Sequence, residues 1–140
     1  MAGYSDAPLQ KKLGIRDGHV VAWLGAPANF AVTLGALPDG VKVRKGARLS
    51  HSLDVIVLFA KTMTSLERAL PGAAEALGYA GGLWVAWPKK SSGVKTDVGE
   101  MLVRKSGLAL GLVDNKVCAI DDTWSGLRFV YRVENRPKAR

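Results

Sequence analysis

A basic loop that carries three hydroxyl side chains is the stretch of this sequence best suited to binding an anion. Residues 88–96 read PKKSSGVKT and follow an apolar run that we predict to be a strand. Backbone amides, hydroxyls and the positive end of a following helix can together hold a phosphate or a carboxylate. The spacing of glycine and lysine is not that of a Walker loop. We predict an anion site formed by Lys89, Lys90, Ser91, Ser92, Lys95 and Thr96, with a solvated, aggregation-limiting loop as the alternative.

The turn at residues 24–27 is the second candidate ligand site. In a doubly wound sheet, ligands bind beyond the carboxyl ends of the strands, and this turn follows the first predicted strand. A nucleoside site there needs several glycines, so that the backbone can approach the ligand. Here Gly25 is followed by Ala26 and Pro27, and Pro27 has no amide donor. We favour a strand-to-helix turn without a ligand, and cofactor binding at Gly25, Ala26 and Pro27 is the alternative.

Groups for catalysis or metal binding are few. His19 and His51 are the two histidines, and they have no metal-ligand spacing. Cys118 lies in an apolar run, and we expect a small core residue there. The adjacent pair Asp121-Asp122 is expected to shape a turn. Because the histidines lack metal-ligand spacing, we predict no metal site. A nucleophile, a base and an orienting acid cannot be assembled from these groups. We therefore assign no catalytic residue and favour a protein without enzymatic activity.

The charge of the chain favours anionic partners. Twenty Lys and Arg against twelve Asp and Glu give a net charge of +8 and a pI near 9.9. Such an excess attracts anionic metabolites, acidic protein surfaces or nucleic acid. The basic residues relevant to nucleic acid are Lys42, Arg44, Lys45, Arg48, Arg128, Arg132 and Arg136. Stacking of bases requires exposed aromatic rings, whereas strand alternation places Phe129 and Tyr131 on one face that we expect to be buried.

Length and composition indicate one folded domain. The 140 residues, 48% of them hydrophobic, suffice for a core and exclude a disordered tail. No stretch approaches the roughly 20 apolar residues of a membrane span, and the amino terminus lacks the apolar run of a signal peptide. We expect a cytoplasmic protein without a membrane partner, made of one domain over residues 1–136 and a basic tail over residues 137–140.

Apolar runs alternate with helical patterns along the chain, which predicts a mostly parallel sheet covered on both faces. The predicted strands are 19–24, 41–43, 54–59, 83–87, 113–120 and 127–133. The last two are joined by a short connection and must therefore be antiparallel. We predict an α/β, Rossmann-like, six-stranded sheet with a C-terminal antiparallel hairpin. From one edge, its strand order is second, first, third, fourth, sixth and fifth.

Local signals predict where the helices begin and bend. Pro27 suits a first helical position, and Thr64 with Glu67 has the spacing of a capping box. Pro71 is expected to kink or split the helix that follows. Thr96 is predicted as the N-cap of the next helix, with Asp97 complementing its dipole.

Two blocks of sequence carry a resemblance to known families. Residues 81–89, GGLWVAWPK, followed by a closing hairpin, resemble the later part of class I S-adenosylmethionine-dependent methyltransferases. More narrowly, GGLWVAWPKKSSGVKTD and GLVDNKVCAIDDTWSGLRFVYR resemble a family of small bacterial proteins of unknown function. The first resemblance implies a Rossmann-like sheet, a glycine-rich turn at residues 25–28 and an acidic ribose-binding residue after the second strand. This sequence has one glycine in the turn, and Arg44 and Lys45 at the acidic position.

We therefore predict a non-catalytic or regulatory binding protein with a methyltransferase-like fold, no cofactor, and an anionic small molecule or acidic protein surface at the strand carboxyl edge. The first alternative is an S-adenosylmethionine-dependent methyltransferase with a degenerate cofactor motif, and the second is a nucleic-acid-binding protein. A dimer through an apolar edge strand or through Trp84, Trp87 or Trp124 is compatible with the sequence, which does not define the oligomeric state.

Overall fold

A computed structural model describes residues 8–46 and 50–136, which form a six-stranded α/β sheet with helices on both faces. Arg48 and the predicted tail at residues 137–140 lie outside the described residues. The strands are β1 Val20–Leu24, β2 Lys42–Arg44, β3 Leu53–Phe59, β4 Leu77–Pro88, β5 Leu112–Ala119 and β6 Trp124–Tyr131. The helices are α1 Leu9–Lys12, α2 Phe30–Leu34, α3 Met63–Ala76 and α4 Glu100–Ala109. Short 3-10 turns lie at Lys90–Ser92 and Val133–Asn135.

The strand order is β2-β1-β3-β4-β6-β5, which confirms the predicted topology. β2, β1, β3 and β4 are parallel, whereas β6 is antiparallel to both of its neighbours, β4 and β5. The order reverses between β1 and β3, so the carboxyl ends of these two strands flank the position at which such sheets bind ligands.

Each face of the sheet has its own core. Helices α3 and α4 cover one face, where Leu66, Leu70 and Val103 pack with the apolar side chains of β3, β4 and β6. The region of α1 and α2 covers the other face through Leu13 and Phe30. A buried hydrogen bond of 3.0 Å from the Trp84 indole to the Leu13 carbonyl ties α1 to the central strand. The continuous apolar runs of β3 and β4 are explained by burial on both faces.

Two of the predicted helix starts are wrong, because other residues take the positions expected of Pro27 and Thr64. Helix α2 begins at Phe30, because Pro27 lies in the preceding turn and its carbonyl accepts from the Phe30 amide. The N-cap of α3 is Thr62, whose hydroxyl accepts from the Ser65 amide across 3.1 Å. Helix α3 continues through Pro71, so the proline does not split it. Because Glu67 and Pro71 are both exposed, water is available to the carbonyl that loses its donor.

The predicted start of α4 at Thr96 is also wrong. Helix α4 begins at Glu100 with Gly99 as its N-cap. Asp97 instead accepts from the Met63 amide at 2.8 Å, so its carboxylate complements the first turn of α3. The 89–96 loop, which we call the basic loop, therefore does not lead directly into a helix N-terminus.

Strand β4 begins earlier than predicted. The predicted strand starts after Gly81-Gly82, whereas β4 starts at Leu77 and contains both glycines. The register shifts between the pairs Leu53–Leu77 and Val55–Gly82, because β4 advances five positions in this interval and β3 advances two. A Cβ at Gly81 would lie 2.7 Å from the Asp54 carbonyl oxygen, so this position requires glycine.

Candidate functional site

Three loops meet at the carboxyl edge of the sheet and are bonded to one another. The Thr96 hydroxyl donates to the Lys61 carbonyl across 2.6 Å, which joins the basic loop to the loop between β3 and α3. The contact of Asp97 with the Met63 amide reinforces this junction. The Lys89 amide donates to the Thr123 carbonyl across 2.7 Å, which joins the basic loop to the turn between β5 and β6. These bonds make one fixed surface from segments that are distant in sequence.

Hydroxyl groups within the basic loop hold its backbone. The Ser92 hydroxyl donates to the Lys89 carbonyl at 2.6 Å and accepts from the Val94 amide at 3.1 Å. The Thr96 hydroxyl likewise accepts from the Val98 amide at 3.0 Å. Ser92 and Thr96 therefore position the loop, whereas Lys90, Ser91 and Lys95 are exposed along it.

The junction places a further lysine beside the predicted anion site. Lys61 is exposed on the β3–α3 loop, and its own carbonyl accepts from Thr96. The four cations of this surface, which we call the cationic rim, are Lys61, Lys89, Lys90 and Lys95. Sequence reasoning missed Lys61, because no local pattern shows that a residue 35 positions before Thr96 contacts it.

The carboxylates at this edge have mainly structural contacts. One oxygen of Asp121 accepts from the amides of Thr123 and Trp124, each at 2.8 Å. This closes the turn that opens β6, as the sequence predicted. The neighbouring Asp122 is exposed. With Asp97 bonded to Met63 and Asp121 bonded to its own turn, neither carboxylate contacts a histidine or a cysteine among the bonds of the described residues.

The turn after β1 packs closely against the end of β3. Gly25 has a φ of 67°, and a Cβ there would lie 2.9 Å from the Phe59 carbonyl oxygen. Phe30 packs edge-on against both Trp23 and Phe59, with ring centroids 5.2 Å and 4.9 Å apart. The close approach of the ends of β1 and β3 therefore accounts for the glycine.

The two histidines lie at the opposite, amino edge. His19 Nδ1 accepts from the Arg16 amide at 3.1 Å in the turn before β1. His51 contacts Tyr79 and stacks on its ring, with Tyr131 nearby. Within residues 8–46 and 50–136, no three His, Cys, Asp or Glu side chains are grouped so as to hold a metal ion. Among the same residues, no helix is long and apolar enough to cross a bilayer.

Comparison with solved structures shows the fold family. A methyltransferase dependent on S-adenosylmethionine from Aquifex aeolicus matches with a TM-score of 0.56 and 13% identity, over 86% of each chain. Magnesium protoporphyrin IX methyltransferase from Synechocystis, solved with S-adenosylhomocysteine, matches with a TM-score of 0.56 and 11% identity, over 89% of this chain and 78% of that one. A chain of the Haloferax volcanii complex between the Trm112 methyltransferase activator and a methyltransferase gives a TM-score of 0.59 and 11% identity, over 89% and 87%.

No protein-family model and no curated protein matches the sequence. At these identities the structural matches show the fold, so the Rossmann-like, methyltransferase-like architecture predicted from the sequence is confirmed.

The residues at the corresponding edge do not fit a nucleoside cofactor held through its ribose hydroxyls. β2 ends at Arg44, which is exposed and followed by exposed Lys45. Both side chains are hydrogen-bond donors and cannot accept the hydroxyl protons of a ribose. The sequence has no carboxylate between Asp39 and Asp54 to take that role.

Proposed function

We propose that this chain is a non-catalytic binding protein with a methyltransferase-like fold, and that its cationic rim binds an anionic small molecule or an acidic partner surface. The observation that carries the proposal is the bond from Thr96 to the Lys61 carbonyl. It fixes the basic loop against the β3–α3 loop, so lysines from two segments lie on one surface. Fixed cations bind an anion better than mobile ones, because less conformational entropy is lost on binding.

The chemistry of the rim supports binding more than catalysis. Lysine ammonium groups donate hydrogen bonds and attract anions over a distance. The serine and threonine that could serve as nucleophiles, Ser92 and Thr96, have backbone partners instead of a neighbouring base. Asp97 and Asp121 have backbone amide partners. The arrangement therefore supports a role in which the rim holds a charged group without reacting with it.

The experiment is a titration of the full chain with pyrophosphate and with a glutamate-rich peptide. Binding is monitored through amide chemical shifts at constant ionic strength. Thr96→Val removes the bond to Lys61 without changing the net charge, and we expect about fivefold to tenfold weaker binding, since one hydrogen bond is lost. Thr33→Val is the matched control, because the Thr33 hydroxyl donates to the Asn29 carbonyl in the region of α2. Equal affinities of wild type and Thr96→Val for both probes would contradict the proposal.

A double Lys90→Gln and Lys95→Gln variant tests the charges themselves. Both lysines are exposed, so folding is expected to be unaffected. We expect at least about tenfold weaker pyrophosphate binding, in line with hydrogen bonds to charged groups. Lys105→Gln together with Lys42→Gln is the control of equal charge, because these residues are exposed elsewhere on the chain. The same loss in both double variants would indicate general charge attraction and not a site.

The first alternative is an S-adenosylmethionine-dependent methyltransferase with a degenerate cofactor motif, which the fold of the neighbours favours. Calorimetry with S-adenosylmethionine and S-adenosylhomocysteine separates it from our proposal. Micromolar binding that Gly25→Ala abolishes would favour the methyltransferase. The second alternative, nucleic-acid binding, requires an affinity for DNA or RNA that falls steeply with added salt.

A further inference from the structure

The sheet face covered by α1 and α2 carries two cations directly opposite each other. Arg128 of β6 pairs in register with Lys116 of β5, and on its other side with Trp84 of β4. Residues paired in this way share one face of the sheet, with Cβ atoms about 4.5–5.5 Å apart. Like charges in such a pair destabilise the sheet. The pairing therefore places two cationic residues on neighbouring strands of this face.

Arg128 is held in a defined position. A Cβ at Gly82 would lie 2.4 Å from its Nε and 2.7 Å from its Cζ, so the guanidinium lies across the bare backbone of β4. The side chain is half-buried, and this burial lowers the pKa of Arg128. In residues 8–46 and 50–136, no carboxylate forms an ion pair with it. A partly desolvated cation without a counter-charge is stabilised by an anionic ligand.

Neither Cys118 nor Asp114, the neighbours of Lys116 along β5, supplies a counter-charge to the pair. Cys118 pairs with Gly126 on β6, two residues along from the pair of Arg128 and Lys116. Burial raises the pKa of the Cys118 thiol, and the charges of Lys12 and Lys89 act in the opposite direction. The carboxylate of Asp114 does not compensate Arg128 and Lys116, because it bonds to Arg104 of α4 on the other face, at 3.0 Å.

We propose that Arg128 and Lys116 form a second binding site, which takes a phosphate monoester on the sheet face. The two cations together carry a charge of +2, and a phosphate monoester carries about −1.5 to −2 near neutral pH. The guanidinium can donate two parallel hydrogen bonds to phosphate oxygens, and the ammonium can donate to a third oxygen. A carboxylate, with a single charge, matches the pair less well. This site is separate from the cationic rim, and neither proposal depends on the other.

The test is a titration of the full chain with inorganic phosphate at constant ionic strength, in which binding is monitored through amide chemical shifts. We expect shifts at Gly82, Lys116, Gly126 and Arg128 that acetate does not produce. Arg128→Gln should weaken binding at least about tenfold, since it removes charged hydrogen bonds. Gly82→Ala should weaken it similarly while the net charge is unchanged, because the new methyl group occupies the place of the guanidinium. Lys105→Gln is the control, because Lys105 is exposed on α4.

Lys116→Glu gives an independent readout. The new carboxylate would face Arg128, so the melting temperature should rise in phosphate-free buffer, while the shifts with phosphate should disappear. A phosphoserine peptide that binds more tightly than inorganic phosphate would assign the group to a phosphorylated protein, and equal affinity would assign it to a small metabolite. The proposal is overturned if phosphate shifts none of these amides, or if Arg128→Gln and Gly82→Ala bind it as the wild type does.

Discussion

Tyr79 donates a hydrogen bond from its hydroxyl to Nε2 of His51 across 2.9 Å, and the two rings stack at 4.0 Å. Nδ1 of His51 lies 3.0 Å from the Leu77 carbonyl, which only accepts, so Nδ1 carries the proton. His51 also has a φ of 50°, in the left-handed region. The extra residues of β4 carry Tyr79 to this position, so the amino edge is fastened by side chains that are 28 residues apart.

This relationship predicts an unusual order of stabilities at His51. Tyr79→Phe retains the ring and removes one hydrogen bond, so the free energy of unfolding should fall by about 1 kcal/mol. His51→Ala loses both bonds and keeps a Cβ at positive φ, whereas His51→Gly loses the same bonds but relieves the backbone. We therefore expect His51→Gly to be the more stable of the two by roughly 1 kcal/mol in urea unfolding. A more stable alanine variant would show that the backbone is not strained there.

Tyr131 predicts a loss of stability at alkaline pH. Its hydroxyl donates to the Ala74 carbonyl, and burial, followed by Tyr79 and Glu75, raises its pKa above the ordinary value. A raised folded-state pKa stabilises the protein fully below the unfolded value of about 10, and this contribution is lost as the pH rises through the folded value. Urea unfolding between pH 8 and pH 11 should show a steeper decline for wild type than for Tyr131→Phe. Parallel declines would indicate that Tyr131 does not titrate differently on folding.

Gly25 predicts a steric effect that can be separated from its backbone conformation. Gly25 and Gly14 both have positive φ, but only at Gly25 would a Cβ meet an atom, the Phe59 carbonyl oxygen at 2.9 Å. Gly14→Ala should cost about 1–2 kcal/mol for the backbone alone. Gly25→Ala should cost measurably more by thermal unfolding, because β1 and β3 must also separate at their ends. Equal losses of stability in both variants would mean that the ends of β1 and β3 accommodate the added methyl group without separating.

Asp97 stabilises the start of α3, whereas the sequence predicted that it would stabilise the start of α4. Because its carboxylate accepts from the Met63 amide, Asp97→Ala should destabilise the first turn of α3 by about 1 kcal/mol. Hydrogen exchange should accelerate at Met63, with little change at the amides that follow Glu100 in α4. Faster exchange in α4 instead would restore the assignment that the sequence favoured.

Sheet topology was accessible from the sequence because burial on both faces gives uninterrupted apolar runs, as in β3 and in the second half of β4. The start of α4 could not be predicted from the sequence. Thr96 bonds to Lys61 and Asp97 bonds to Met63, each more than 30 residues earlier, and neither side chain caps α4. The place of Lys61 in the rim was missed for the same reason. Sequence patterns indicate hydrogen-bond partners only a few residues apart, whereas the loops at the carboxyl edge are joined by residues that are distant in the sequence.

We propose that the carboxyl edge binds an anion through its lysines and not a nucleoside through the turn at Gly25. One amide chemical-shift experiment on the full chain, titrated in turn with pyrophosphate and with S-adenosylhomocysteine, tests it most directly. We predict shifts at Lys61 and at residues 89–96 with pyrophosphate, and none at residues 25–29 with S-adenosylhomocysteine. Saturable shifts at Gly25 and Ala26 with S-adenosylhomocysteine, and no response of the rim to pyrophosphate, would contradict the account.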